Sequence, residues 1–308
     1  MKRSILLIIL FISAYFLQAQ IMPINNEILL NELIINPAIA GINTNTNISL
    51  LSRLQWLGVE DAPRSQCFSF DTRIKTNKKY NHTGEMDSRS RIPRSGRVGL
   101  GGFVFNDINE PFRRTGVNFA YAYHLKKGKY LQHNLSFGFG TSFFLFSVDN
   151  TEFVATDMND PAISAKTNLF IPNLSLGLKY NYQNLYLGAS AVHFIPIETQ
   201  FSDIKNEIEK NRNQLFVHAG MNLKEGQKIT IMPSILYRTI TNQFDANLGI
   251  KAAERYTLSV SYHSTKSVSA IAGLRINKIG IYYSYQFSTA KLENYKNSSQ
   301  MIMINYEL

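Results

Sequence analysis

From about residue 47 to the last residue, the chain repeats one device: bulky apolar side chains at every second position, with small or polar ones between them. Val117, Phe119, Tyr121, Tyr123 and Leu125 alternate with Asn118, Ala120, Ala122 and His124. Leu174, Leu176, Leu178, Tyr180 and Tyr182 alternate with Ser175, Gly177, Lys179 and Asn181, and Ile281, Tyr283, Tyr285 and Phe287 with Tyr282, Ser284 and Gln286. A period of two is the mark of strands that turn one face to an apolar phase and the other to a polar one. Similar runs fall near 47–57, 66–74, 98–106, 114–125, 133–147, 171–182, 185–193, 214–223, 228–238, 243–251, 255–263, 267–276, 279–287 and 300–308. That makes about fourteen strands, an even number, as closed bacterial single-chain barrels have.

A soluble sandwich also alternates, so the composition of the apolar face decides between the two. The chain holds 16 Tyr and 20 Phe against one Trp, and its tyrosines gather near strand ends: Tyr121, Tyr123, Tyr180, Tyr182, Tyr237, Tyr262 and Tyr306. Membrane barrels settle such rings at head-group depth in girdles. In a sandwich each buried hydroxyl would need its own partner, which makes a soluble carbohydrate-binding sandwich the weaker alternative. The last strand carries Ile302, Ile304, Tyr306 and Leu308 on one side, as a strand that closes a barrel must. An unpaired edge in lipid would cost several kcal/mol per backbone group. The expected fold is therefore all-β, a transmembrane antiparallel outer-membrane β-barrel of about 14 strands over 47–308, with Ser, Gly, Asn, Thr, Lys and Arg lining the lumen.

Connection lengths give an independent check, because such barrels have short turns on the periplasmic side and longer loops outside. With the N-terminus on the periplasmic side, 126–132, 183–184, 224–227, 252–254 and 277–278 are inner turns. The outer loops 148–170, 194–213 and 288–299 are longer. Within 194–213, the stretch "DIKNEIEKNRN" (203–213) predicts a short helix capped by Asp203, with Ile204 and Ile208 on one face. One inner loop, 75–97, breaks the pattern by its length. Its Lys75, Lys78, Lys79, Arg89, Arg91, Arg94 and Arg97 against Glu85 and Asp87 give a net charge of about +5, so it is a candidate contact surface for a periplasmic partner.

Residues 1–19 read as a secretory signal peptide: Lys2 and Arg3, an apolar run over 5–17, and a small-residue end that places cleavage after Ala19. No later run of about 18 apolar residues would make a membrane helix. The one cysteine, Cys67, rules out an intramolecular disulfide. For an exported chain, the net charge of +10 points to anionic outer-membrane lipids or an acidic protein partner, and no nucleic acid is expected. No catalytic constellation stands out, and no cofactor or metal is expected. His82, His124, His133, His193, His218 and His263 lack ligand spacing, and "GLGGFVF" (99–105) is strand-like with no helix after it. "TDMNDP" (156–161) clusters Asp157, Asn159 and Asp160, but lacks the glycine and distal glutamate of a calcium loop and reads as an Asp-Pro turn.

Before the first strand, "INPAIAG" (35–41) is a defined bend: Pro37 fixes φ, Asn36 is pushed extended, and Gly41 is free to take a positive φ. Residues 20–46 then form a periplasmic, plug-like segment that folds into the lumen or seals its inner mouth. "NPAIAG" followed by "RLQWLGVEDAP" (53–63) resembles the start of the PorP/SprF family of type IX secretion outer-membrane proteins of Bacteroidetes, carried by Asn36, Pro37, Ala38, Gly41, Arg53, Gln55, Trp56, Gly58, Ala62 and Pro63. The likeness continues through "AYAY" (120–123), "LSFGFG" (135–140), "DPAI" (160–163), "IPNLSLGLKY" (171–180), "MPSILYR" (232–238) and "YYSYQF" (282–287). Two departures are Ile39, where the family usually has an aromatic, and "SSQMIMINYEL" (298–308), which lacks a Ser-His-Glu lead-in. The resemblance implies a non-enzymatic barrel that works with the type IX translocon. It also implies a large secreted surface protein with a C-terminal targeting domain, of the gliding-adhesin type, which the barrel helps secrete or anchor, and a periplasmic OmpA-like peptidoglycan-binding lipoprotein. A diffusion channel or small-molecule transporter on the same barrel is the alternative.

Overall fold

The computed structural model describes residues 30–43, 45–59, 61–75, 95–127, 133–148, 168–192, 198–200, 208–210, 214–223, 228–239, 241–288 and 298–308. Strands β1 (Asn47–Gln55), β2 (Arg64–Lys75), β3 (Ser95–Asn109), β4 (Phe112–Lys127), β5 (His133–Val148), β6 (Asn168–Tyr182), β7 (Leu185–Val192), β10 (Gln214–Met221), β11 (Ile229–Arg238), β12 (Gln243–Ala252), β13 (Tyr256–His263), β14 (Ser267–Ile276), β15 (Ile279–Ser288) and β16 (Ser298–Glu307) close one fourteen-stranded antiparallel barrel. Each of the fourteen alternating segments of the sequence is one of these strands. Closure runs from Asn47↔Glu307 to Gln55↔Ser299, so β1 and β16 leave no open edge between them. Two-residue turns such as 183–184 and 277–278 begin with a residue at positive φ, Gln183 (49°) and Asn277 (52°), the twist that matches a right-handed hairpin.

The alternation separates two phases. Leu258 is 63 % exposed and Phe119 53 %, facing outward, while their neighbours Ser259 and Ala120 are buried. Tyr121 and Tyr180 on one rim, and Tyr237 and Tyr262 on the other, lie on the outer face, where phenol rings can rest at head-group depth. No helix among the described residues is long and apolar enough to cross a membrane. The crossing is made by strands.

The structure corrects the expected helix at 203–213. Ile208–Lys210 is strand β9, paired antiparallel with Glu198–Gln200, strand β8. A helix of this length is marginal in water, whereas a hairpin gives each strand a cross-chain partner for its backbone. The rest of 203–213 lies outside the described residues. So do the signal peptide at 1–19, "TDMNDP" at 156–161, and most of the loops 75–97, 148–170 and 288–299.

The lumen face is also less uniformly polar than expected. Leu51, Cys67, Phe103, Phe105, Phe144, Phe146, Ile171, Met301 and Met303 point inward and pack into one cluster. In the run "FFLF" (143–146), Phe143 and Leu145 are exposed outward while Phe144 and Phe146 are buried inside. An apolar run without alternation is what a strand covered on both faces shows.

Candidate functional site: the occupied lumen

What covers those inward rings is the N-terminal segment. Residues 30–43 run inside the barrel as two short 3-10 turns, Glu32–Ile34 and Pro37–Ile39. Leu33 and Ile34 join the cluster of Phe103, Phe105, Phe144 and Phe146, and Ile35 packs on Phe216 and Leu236. The bend read from the sequence is local chemistry: Asn36 is extended (φ −140°, ψ 108°), and its side-chain oxygen accepts from the amide of Ala38, capping the turn that Pro37 opens. The same side chain donates through Nδ2 to the carbonyl of Leu178 on β6, at 3.0 Å.

The wall grips the backbone of this segment from three strands, β2, β4 and β7, and its side chains from β2 and β6. On β4, His124 donates from Nε2 to Ala40 O (2.9 Å), while its Nδ1 accepts from Ser136 Oγ on β5 (2.7 Å). A carbonyl can only accept, and this fixes the imidazole tautomer. On β2, Arg73 donates to Gly41 O through Nε and to Ile42 O through Nη2, the latter at 3.0 Å. Asp71, also on β2, accepts from the amide of Gly41 at 3.1 Å. Ser190 on β7 donates to Ile35 O at 2.6 Å, and Asn31 Nδ2 donates to Ser69 Oγ on β2 at 2.8 Å. Glu32, the only charged residue in 30–43, pairs with Lys179 on β6, whose side chain is 7 % exposed. Lys179 Nζ also lies 4.5 Å from the ring centre of Tyr186. Burial pushes the Glu32 carboxyl up, but the charges of Lys179 and His218 and the Lys179 hydrogen bond outweigh it and hold the group below its ordinary value.

Close approach is possible because the wall lacks side chains where the segment lies. A Cβ on Gly138 of β5 would sit 2.0 Å from Ala38 N. One on Gly177 of β6 would sit 2.0 Å from Asn36 Oδ1, and one on Gly99 of β3 1.9 Å from Ala40 O. Gly41 itself has φ +60°, and a Cβ there would meet Thr72 O at 2.3 Å. Thus "NPAIAG", "GLGGFVF", "AYAY", "LSFGFG" and "IPNLSLGLKY" meet at one place: Ala122 of "AYAY" is fully buried on the inner face.

The second half of the signature lies at the other end of the barrel. Arg53 is buried on the inner face of β1 and donates to Gln286 Oε1 on β15 at 2.8 Å. Gln286 in turn donates to Ser267 Oγ at 2.8 Å. Gln55 closes the β1–β2 hairpin by donating its amide to Pro63 O (2.9 Å). Trp56 (φ 49°) is 44 % exposed, Gly58 (φ 86°) has open space around it, and Ala62 is half-buried. Farther round this rim, Ser65 donates to Asp107 (2.6 Å) and Arg238 meets Asp245 at 2.6 Å. Asn36, Pro37, Ala38 and Gly41 are therefore brought together with the wall, and Arg53, Gln55, Trp56, Gly58, Ala62 and Pro63 form a separate rim structure. Of the basic loop, Lys75 ends β2 and Arg97, on β3, donates to Tyr123 OH at 3.4 Å. Lys78, Lys79, Arg89, Arg91 and Arg94 lie outside the described residues.

Two features bear on catalysis. Ser269, His263 and Asp245 line up with Ser269 Oγ–His263 Nε2 at 3.1 Å and His263 Nδ1–Asp245 Oδ1 at 2.9 Å, the order of a nucleophile relay. Ser269 is fully buried, however, and Asp245 is also committed to Arg238, so the set ties β11, β12, β13 and β14 together as a cross-strand brace. Among the described residues no three His, Cys, Asp or Glu side chains gather as a metal site.

Sequence reading missed the anchors Glu32, Asp71, Arg73, His124, Lys179 and Ser190. Inward parity on otherwise hydrophobic strands marked the five on the wall, and nothing local marked Glu32.

Comparison with known proteins agrees with this architecture. The monoaromatic hydrocarbon channel CymD superposes with a TM-score of 0.51 at 11% identity, covering 90% of this chain and 92% of its own. The toluene transporter TbuX of Ralstonia pickettii gives 0.50 at 12%, covering 89% and 92%. At these identities the likeness is one of fold, the outer-membrane barrel. No curated protein sequence matches the chain. The family model described as type IX secretion system membrane protein PorP/SprF matches residues 17–306, a span that takes in both the lumenal turn and the barrel strands that hold it, and the chain belongs to that family.

Proposed function

We propose that this barrel is a non-enzymatic partner of the type IX secretion system, which helps secrete or anchor a large surface protein rather than conducting solutes. The observation that carries this reading is the occupied lumen: a segment held by Lys179, His124, Arg73 and Asn36 lies in the space a diffusion channel would keep open. A barrel with a segment docked in its lumen offers its rims and loops as working surfaces. The loops 148–170, 194–213 and 288–299 leave the rim that carries Trp56 and are assigned to the exported protein. The basic loop 75–97 leaves the opposite rim and is assigned to a periplasmic OmpA-like lipoprotein, in line with its charge. The signal peptide is removed after Ala19.

The test is a pull-down of the tagged protein from detergent-solubilised outer membranes, with mass spectrometry of what accompanies it. A large surface protein bearing a type IX C-terminal domain is expected. Recovery of the barrel alone, together with steady ion conductance in a planar bilayer, would replace this reading with the channel. Exchanging 75–97 for a Gly-Ser linker is expected to abolish lipoprotein recovery and leave the surface protein bound. Unchanged lipoprotein recovery would remove that assignment.

A further inference from the structure

We propose that the inner wall formed by β2–β7 is a binding site for a short polypeptide turn, and that the N-terminal segment occupies it as an exchangeable ligand. A second polypeptide of the same chemistry can replace it. This goes beyond the secretion-partner reading and does not depend on it.

Three observations carry the inference. First, the barrel is complete without the segment. The ladder starts at Asn47, every strand has both neighbours, and none of residues 30–43 pairs in the sheet. Second, the site is held in shape by the wall's own contacts. Ser136 fixes the His124 ring at 2.7 Å, Asn47 Nδ2 reaches Asp71 Oδ2 at 3.5 Å, and Tyr186 lies under Lys179 at 4.5 Å, so little ordering cost falls on binding. Third, what the wall reads is compact and mostly backbone: the carbonyls of Ile35, Ala40, Gly41 and Ile42, and the amide of Gly41. Side-chain identity enters at Glu32 through Lys179, at Asn36 through Leu178 O, and at residues 38 and 40 because both alanines are fully buried against the wall. The fitting ligand is a turn of the form Asn-Pro-small-x-small-Gly with an acidic residue four positions before the asparagine.

The test uses the full chain, folded first. A specific protease site is introduced after Asn43, the barrel is cut once folded, and a fluorescent peptide of residues 30–43 is added. The expected result is a saturable rise in anisotropy that excess unlabelled peptide reverses. Peptides carrying Asn36→Ala or Glu32→Gln should compete about tenfold less well. On a barrel carrying Lys179→Met the order should reverse, with Glu32→Gln competing better than the parent peptide because no carboxylate is left unpaired, a readout that general weakening of the barrel would not give. The proposal is overturned if the cut barrel, still resistant to unfolding in detergent, takes up no peptide, or if a scrambled peptide of the same composition competes equally.

Discussion

Replacing Lys179 by methionine removes one partner of a pair buried in the lumen and leaves the Glu32 carboxylate without its cation. Breaking a buried pair from one side costs about 3–5 kcal/mol. Glu32 retains 23 % side-chain exposure, so the low end applies, about 3 kcal/mol, or roughly a hundredfold in the docking equilibrium of the segment. The chain carries its own reporter. Cys67, its one cysteine, is 2 % exposed and lies in the same cluster as Leu33 and Ile34, so a thiol reagent reaches it from the lumen only when the segment leaves. The expected outcome is a rise in the Cys67 labelling rate of about a hundredfold in Lys179→Met at pH 7, with the far-ultraviolet strand signal unchanged. Adding Glu32→Gln should recover most of the loss, because a neutral amide costs far less to bury than an unpaired carboxylate. The reasoning is refuted if labelling stays at the parent rate, or if the double variant labels as fast as the single one.

Gly138→Val places a branched side chain where even a Cβ meets Ala38 N at 2.0 Å; the segment is expected to leave the lumen, seen as fast Cys67 labelling and new conductance in a bilayer. Asn36→Ala loses both the cap to Ala38 and the bond to Leu178 O, which should weaken docking by about 1–3 kcal/mol, measured by the same labelling. The Glu32 carboxyl lies below its ordinary 4.5, so its contribution is complete above that value and is lost as pH falls through the lower, docked-state value. Labelling of Cys67, corrected for thiolate content, should therefore rise in the parent as the pH falls below about 4.5, and Glu32→Gln should remove that part of the rise. Val260→Arg, at a position 55 % exposed on the outer face midway along β13, should destabilise the inserted barrel by about 2–4 kcal/mol, measured by urea unfolding in lipid vesicles.

The sequence alone determined the barrel. Alternation of unlike side chains is a direct image of a strand between lipid and lumen, because successive Cβ atoms point to opposite sides. The same pattern therefore placed Phe119, Leu176 and Tyr283 outside before any pairing was known. The bend at Asn36-Pro37 was legible for a similar reason, since a capping side chain and a fixed φ act within a few residues. Local reading did not foresee the hairpin of β8 and β9, where cross-strand pairing overrode a helical pattern.

What the bend touches was decided only by the tertiary structure. Glu32 meets Lys179 across 147 positions of sequence, and Asn36 meets Leu178 across 142. Gly99, Gly138 and Gly177 read as weak points of three separate strands until closure of the barrel sets them side by side as one groove. The inward Phe144 and Phe146 likewise look misplaced on a polar face until Leu33 and Ile34 are seen to cover them. Alternation along a strand sets which face a side chain takes. Which distant segment shares that face is set by the register of fourteen strands and by the closure of the first on the last.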